Sequence, residues 1–149
     1  MMNWLKSSAT NVRARMAEEM TKYRNRDFME AVVAGCAIVA AADGTISAEE
    51  KQKMIGYMQA SDELKVFKID DVIQSFNDSV GKFDFDAGIG RAEALRKIAK
   101  IKGKAGADRL LVRVCCAIGS ADGDFDAKER DAVSLICTEL GLAPAEFDL

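Results

Sequence analysis

Acidic side chains recur in one pattern at two places. Ala41-Ala42-Asp43-Gly44-Thr45-Ile46-Ser47-Ala48-Glu49-Glu50-Lys51 returns 79 residues later as Ser120-Ala121-Asp122-Gly123-Asp124-Phe125-Asp126-Ala127-Lys128-Glu129-Arg130, with five of the eleven positions identical. Carboxylates at this density suit a hard divalent cation of the Ca²⁺ or Mg²⁺ class, and Asp-Gly-x-apolar-(Ser/Asp)-x-x-Glu has the register of the second half of an EF-hand loop. The first half is missing. Its ligand positions fall on Val39 and Ala41 in one copy and on Ile118 and Ser120 in the other, and Val39 and Ile118 belong to apolar helices. A standard EF-hand is excluded, so each copy needs ligands from the other. Asp43, Glu50, Asp122 and Glu129, with Asp124 and Asp126, are the candidate metal ligands.

Helix capping accounts for part of the same pattern. Ser47-x-x-Glu50 and Asp126-x-x-Glu129 both have capping-box spacing, in which the carboxylate at the third helical position reaches back to the amide of the cap. Asp43 and Asp122 have no such explanation. Each follows an apolar helix, where the dipole disfavours a carboxylate by roughly 0.3–1 kcal/mol. Either a bound cation or a basic neighbour, Lys51 or Arg130, must offset that charge.

Other chemistries have less support. The chain contains no His, which removes the commonest general base and the usual triads. Cys36, Cys115, Cys116 and Cys137 lie in apolar helical stretches without Cys-x-x-Cys spacing, so they read as buried, reduced thiols. Cys115 and Cys116 point about 100° apart on a helix and are poorly placed to act together. Gly88-Ile89-Gly90 is a faint echo of a phosphate loop with neither a preceding strand nor a Lys-Ser/Thr pair, and is discarded. No catalytic residue is assigned.

The elements that must position these groups are helices. Phe28 to Ala42 is apolar on nearly every side and predicts a central helix ending at Asp43-Gly44. Ser47 to about Ala60 follows, capped by Ser47. A short helix is expected after Ser61, another over Asp70–Ser79, and one capped by Asp84 or Asp86 that runs through Ile98. Leu110 to Gly119 aligns with Ala31 to Ala40 at the 79-residue offset and sets Cys115 opposite Cys36. Ala127 to Leu140 repeats the outgoing helix and stops at Gly141, and Pro144 opens a closing turn with Phe147 tucked in. No stretch has strand alternation. The fold class is all-α, one domain of about seven or eight helices built on two pseudo-symmetric helix–Asp-Gly–helix repeats, with repeat cores 28–60 and 107–140 inside a helical domain spanning 27–149.

Residues 1–26 form a separate basic arm. Trp4/Leu5, Ala9, Val12, Met16, Met20 and Tyr23 make one apolar helical stripe, and six Lys/Arg face only Glu18 and Glu19. Such a helix either folds back onto the body or meets a membrane surface or an acidic partner. At 149 residues, net charge −3 and pI near 5.1, the chain has no global basis for nucleic-acid binding. The longest apolar run, Ala31 to Ala42, falls short of the roughly 20 residues a membrane span needs, and Met1 to Thr10 lacks the apolar core of a signal peptide. A cytoplasmic location is expected.

Tyr23-Arg24-Asn25-Arg26-Asp27-Phe28-Met29, Asp43-Gly44 through Gly56, Glu63-Leu64-Lys65-Val66-Phe67, Phe83-Asp84-Phe85-Asp86, Ser120-Ala121-Asp122-Gly123 and Pro144-Ala145-Glu146-Phe147 together resemble the tellurite-resistance TerB family. The resemblance implies an all-helical, internally pseudo-symmetric fold and a place among stress- and tellurium-resistance proteins. It also implies a metal-binding acidic site and association with a TerC-type membrane protein and TerD-type proteins. The family's acidic positions fall on Asp43, Glu50, Asp122 and Glu129, with Asp124 and Asp126 beside them. Residues and resemblance together lead to a non-enzymatic cytoplasmic module that binds a divalent metal and docks to a resistance complex, peripheral to the inner face of the membrane. The alternative is a metal-free interaction scaffold with acidic and basic faces; an enzyme, thiol-based or carboxylate-metal, is the third reading.

Overall fold

The computed structural model describes residues 15, 25–42, 46–104, 106–120, 123 and 125–149, and the arm before Asn25, apart from Arg15, lies outside them. The first described helix, α1 (Arg26–Ala40), begins where the Asn25 side chain accepts the Phe28 amide proton at 2.8 Å. Every residue from Phe28 to Val39 except Glu30 is buried. A helix apolar all round must be enclosed, and α1 packs against all five of the other helices.

Helix α2 (Ala48–Ala60) starts at Ser47 and is followed by a 3-10 turn, Asp62–Leu64. Helix α3 (Ile69–Phe85) is longer than its sequence predicts. The Asp70–Ser79 expectation stops short, because Val72, Phe76, Val80 and Phe83 keep one buried face that runs on past Gly81. A mid-helix glycine costs about 1 kcal/mol; burying a valine and a phenylalanine contributes roughly 1.5–3 kcal/mol each. Burial wins, and the helix continues.

Only Asp86 separates α3 from α4 (Ala87–Ala99). Its carboxylate accepts the Ile89 amide at 2.9 Å, which makes Asp86 the cap, while Asp84 lies inside α3 and pairs with Lys51 at 3.0 Å. Gly88-Ile89-Gly90 is the first turn of α4. Gly90 is required there by contact: a Cβ would stand 2.6 Å from Phe83 Cα and 2.7 Å from Phe83 N.

Helix α5 (Ala107–Gly119) follows a turn through Gly103 and Gly106, and α6 (Ala127–Leu140) ends at Gly141 with φ +73°. The closing 3-10 turn Pro144–Phe147 is tied back by Arg109, whose Nε and Nη2 donate to Glu146 at 2.6 and 3.3 Å. Phe147 is partly buried against the core. The described residues thus form a single all-α unit of six helices and two 3-10 turns, with no strand among them. No helix among them is long and apolar enough to cross a membrane.

Candidate functional site

The described residues that flank the two acidic loops come together at one end of the bundle. Helices α1 and α5 stop at Ala40 and Gly119, and α2 and α6 start at Ala48 and Ala127, each pair 79 residues apart. Gly123 has φ +82°, the left-handed conformation that glycine adopts without strain. Ile46 is buried and Phe125 packs on the core, its ring 3.1 Å from where a Cβ on Gly119 would be. These apolar anchors pin the starts of α2 and α6 against the ends of α1 and α5.

The caps form as their spacing predicts, with one difference. Asp126 accepts the Glu129 amide at 2.8 Å and donates its own amide to Glu129 Oε1 at 3.3 Å, a complete capping box. In α2, Ser47 Oγ accepts the Glu50 amide at 3.1 Å, but the Glu50 carboxylate accepts from the Ser47 hydroxyl at 3.2 Å rather than from the amide.

Glu50, Asp126 and Glu129 line one open cavity of about 210 Å³ over Val39, Ala42 and Met54. Carboxylates from the two copies, distant in sequence, therefore face a common space. Lys53, Lys128 and Tyr57 line it too, and none of the three stands out in the sequence as a site residue. Their only signal is periodicity: Lys53 and Tyr57 lie three and seven residues after Glu50, on one face of α2. A second depression of about 220 Å³ shares Ala42 and Lys128 with the first and continues to Phe83 and Arg91.

Asp43, Asp122 and Asp124 lie outside the described residues. Among those described, no three Asp, Glu or Cys side chains are placed to hold one metal ion. Glu50, Asp126 and Glu129 are engaged in their caps and share the cavity with two ammonium groups, so by themselves they do not fit a divalent cation. The cations expected to neutralise the loops are also occupied. Lys51 bridges to Asp84, and Arg130 donates to the Asp148 carbonyl at 2.6 Å.

The thiols are placed for packing. All four are free; Cys36, Cys115 and Cys137 are buried and Cys116 is half-buried. Cys115 Sγ lies 3.9 Å from the Val32 carbonyl, and its neighbour Cys36 together with burial pushes its pKa well up. Burial raises that of Cys116 and carries Cys137 to about 11. Protonated thiols are poor nucleophiles, which is opposite to what thiol catalysis needs.

Comparison with known proteins fits this frame. Residues 29–149 match the family model described as tellurite resistance protein TerB. The chain belongs to the TerB family. A tellurium resistance protein TerB from Alcaligenes sp is 42% identical over 110 residues, covering 74% of this chain and 90% of the relative. No solved structure matches the chain. The family match takes in both acidic segments and all but the first three residues of α1, and it leaves the basic arm outside.

Proposed function

We propose that this member of the TerB family is a non-enzymatic interaction scaffold of the tellurite-resistance stress response, cytoplasmic and docked at the inner face of the membrane. The two helix pairs, equivalent at a 79-residue offset, act as a pseudo-symmetric frame whose adjoining helix ends form one surface. The carrying observation is what that end exposes. Phe85 is 82% and Ile89 48% solvent-exposed, next to Asp84 and its bridge to Lys51, and the adjoining depressions are lined by charges of both signs. Large apolar side chains ringed by charge have the composition of a docking surface. The partners are a TerC-type membrane protein and TerD-type proteins.

The test replaces residues the core does not use. Phe85→Ser with Ile89→Ser should leave thermal stability within experimental error, abolish co-purification with the TerC-type or TerD-type protein, and lower tellurite resistance in a complementation assay. Full binding and full resistance in that variant would overturn the reading.

A second reading has one observation in its favour: carboxylates of both copies face one cavity. In it, Asp43 and Asp122, with Asp124, complete a Ca²⁺- or Mg²⁺-class site with Glu50, Asp126 and Glu129. Ca²⁺, Mg²⁺ or Mn²⁺ would then shift the amide signals around positions 43 and 122, and silence at millimolar metal would exclude it.

A further inference from the structure

Between Glu93 and Asp108, where α4 turns into α5, the chain holds Arg96, Lys97, Lys100, Lys102 and Lys104 and no acid. Arg96 is taken by Glu93 at 2.9 Å. Of the four lysines, Lys100, Lys102 and Lys104 are exposed and Lys97 is half-buried, and none joins an ion pair among the described residues. Successive turns, in which the amides of Lys100, Lys102 and Lys104 donate to the carbonyls of Lys97, Ala99 and Ile101, gather them on one corner, and the buried Ile98 and Ile101 fasten that corner to the core. Of the acids on the adjoining helix ends, Glu93 and Glu146 already hold arginines, Asp108 is buried, and Glu139 is half-buried on the last turn of α6. A lysine at the end of α4 answers the helix dipole there, and Lys102 crosses the end of α6, its Cε 3.5 Å from where a Cβ on Gly141 would be. Two helix ends account for two cations, not four. The corner is also remote from the acidic end. Helix α6 starts at the cavity that Glu50, Asp126 and Glu129 line and ends beside Lys102, and its 14 residues separate the two by about 21 Å at 1.5 Å per residue.

We propose that this corner is a contact for an anionic phospholipid surface, with Lys97, Lys100, Lys102 and Lys104 among the headgroups and the acidic end of the bundle turned away. The proposal rests on the membrane-docked reading above and gives that docking a direct lipid component. Lysines near such a surface each strengthen binding roughly fivefold, so four together give on the order of several hundred-fold. A fluid, planar array of charges needs no apolar contact, and the corner offers none: among the described residues the exposed large apolar side chains are Ile69, Phe85 and Ile89. An acidic protein partner would call for an anchor of that kind. A nucleic acid would call for aromatic stacking or the bidentate grip of arginine, and a long one would run on toward the acidic end, which repels it.

The test is sedimentation of the purified full chain with extruded vesicles. The chain should pellet with vesicles of phosphatidylglycerol and phosphatidylcholine at low ionic strength, stay in solution with phosphatidylcholine alone, and be released as salt screens the charges. Lys97→Gln, Lys100→Gln, Lys102→Gln and Lys104→Gln together should weaken binding by on the order of a hundred-fold or more. Arginine at the same four positions should keep it, and the melting transition should be unchanged in both variants. Undiminished binding by the glutamine variant would overturn the proposal and assign the contact to the basic arm, residues 1–26. So would equal binding to neutral vesicles, or displacement from anionic vesicles by a DNA duplex that the glutamine variant no longer binds, which assigns the corner to nucleic acid. No partner protein or tellurite is present, and Phe85→Ser with Ile89→Ser should leave vesicle binding as it is, so failure here would leave the protein-mediated docking standing.

Discussion

At the scale of single residues, two glycines one helical turn from the α3–α4 corner behave in opposite ways. A Cβ at Gly81 would have nothing within 4 Å, whereas one at Gly90 would collide with the Phe83 backbone. Gly81→Ala should therefore stabilise the protein by about 1 kcal/mol through helix propensity. Gly90→Ala must push α3 and α4 apart and should destabilise it by about 1–3 kcal/mol or more. Urea unfolding of the two variants checks both signs. The sequence alone does not separate the two residues, because the difference lies in which backbone passes close by. Caps were legible where the glycines were not. Ser47, Asp126 and Gly141 act within one turn of their own positions, and the structure bears out all three. The choice between Asp84 and Asp86 needed the end of α3, which is set by where Val80 and Phe83 are buried.

At the scale of elements, α3 and α4 are also joined by charge. Glu93 on α4 accepts from Lys82 of α3 at 3.3 Å and from Arg96 at 2.9 Å. Hydrogen bonds from Arg96 and then Lys82 lower its pKa from 4.5 to about 2. Because the folded-state value is depressed, the stabilisation is complete above pH 4.5 and is lost as pH falls toward 2. Glu93→Gln should remove that part of the acid sensitivity, so wild type and variant should differ most at neutral pH and converge in acid. Unfolding midpoints measured at stepped pH would show it; parallel profiles would dismiss the assignment. The group is partly exposed, so salt should shrink the difference. Opposite charges eleven residues apart are visible in the sequence, but their meeting depends on a one-residue corner at Asp86.

At the scale of the molecule, the docking and metal readings part over stability. A ligand that binds only the folded state adds about 2.7 kcal/mol when present at a hundred times its Kd. The scaffold reading expects the melting transition to be the same in millimolar Ca²⁺, millimolar Mg²⁺ and chelator. A rise with one metal, lost in a variant combining Asp43→Asn and Asp122→Asn, would return the function to metal binding. The measurement uses the intact chain and needs no partner.

The sequence by itself determined the helical class, the central position of α1, the doubled acidic motif, the caps and the family. Each is written in spacing over a few turns, and hydrophobic periodicity and capping are local physics. Tertiary structure decided the rest. It extended α3 past Gly81 through burial, sent Lys51 to Asp84 rather than to the loops, and drew Glu50, Asp126 and Glu129 around one cavity together with Lys53 and Lys128. It also left Phe85 and Ile89 in water at that same end. Those outcomes depend on which helix ends adjoin, a property of how the whole chain packs that no window of neighbouring residues contains.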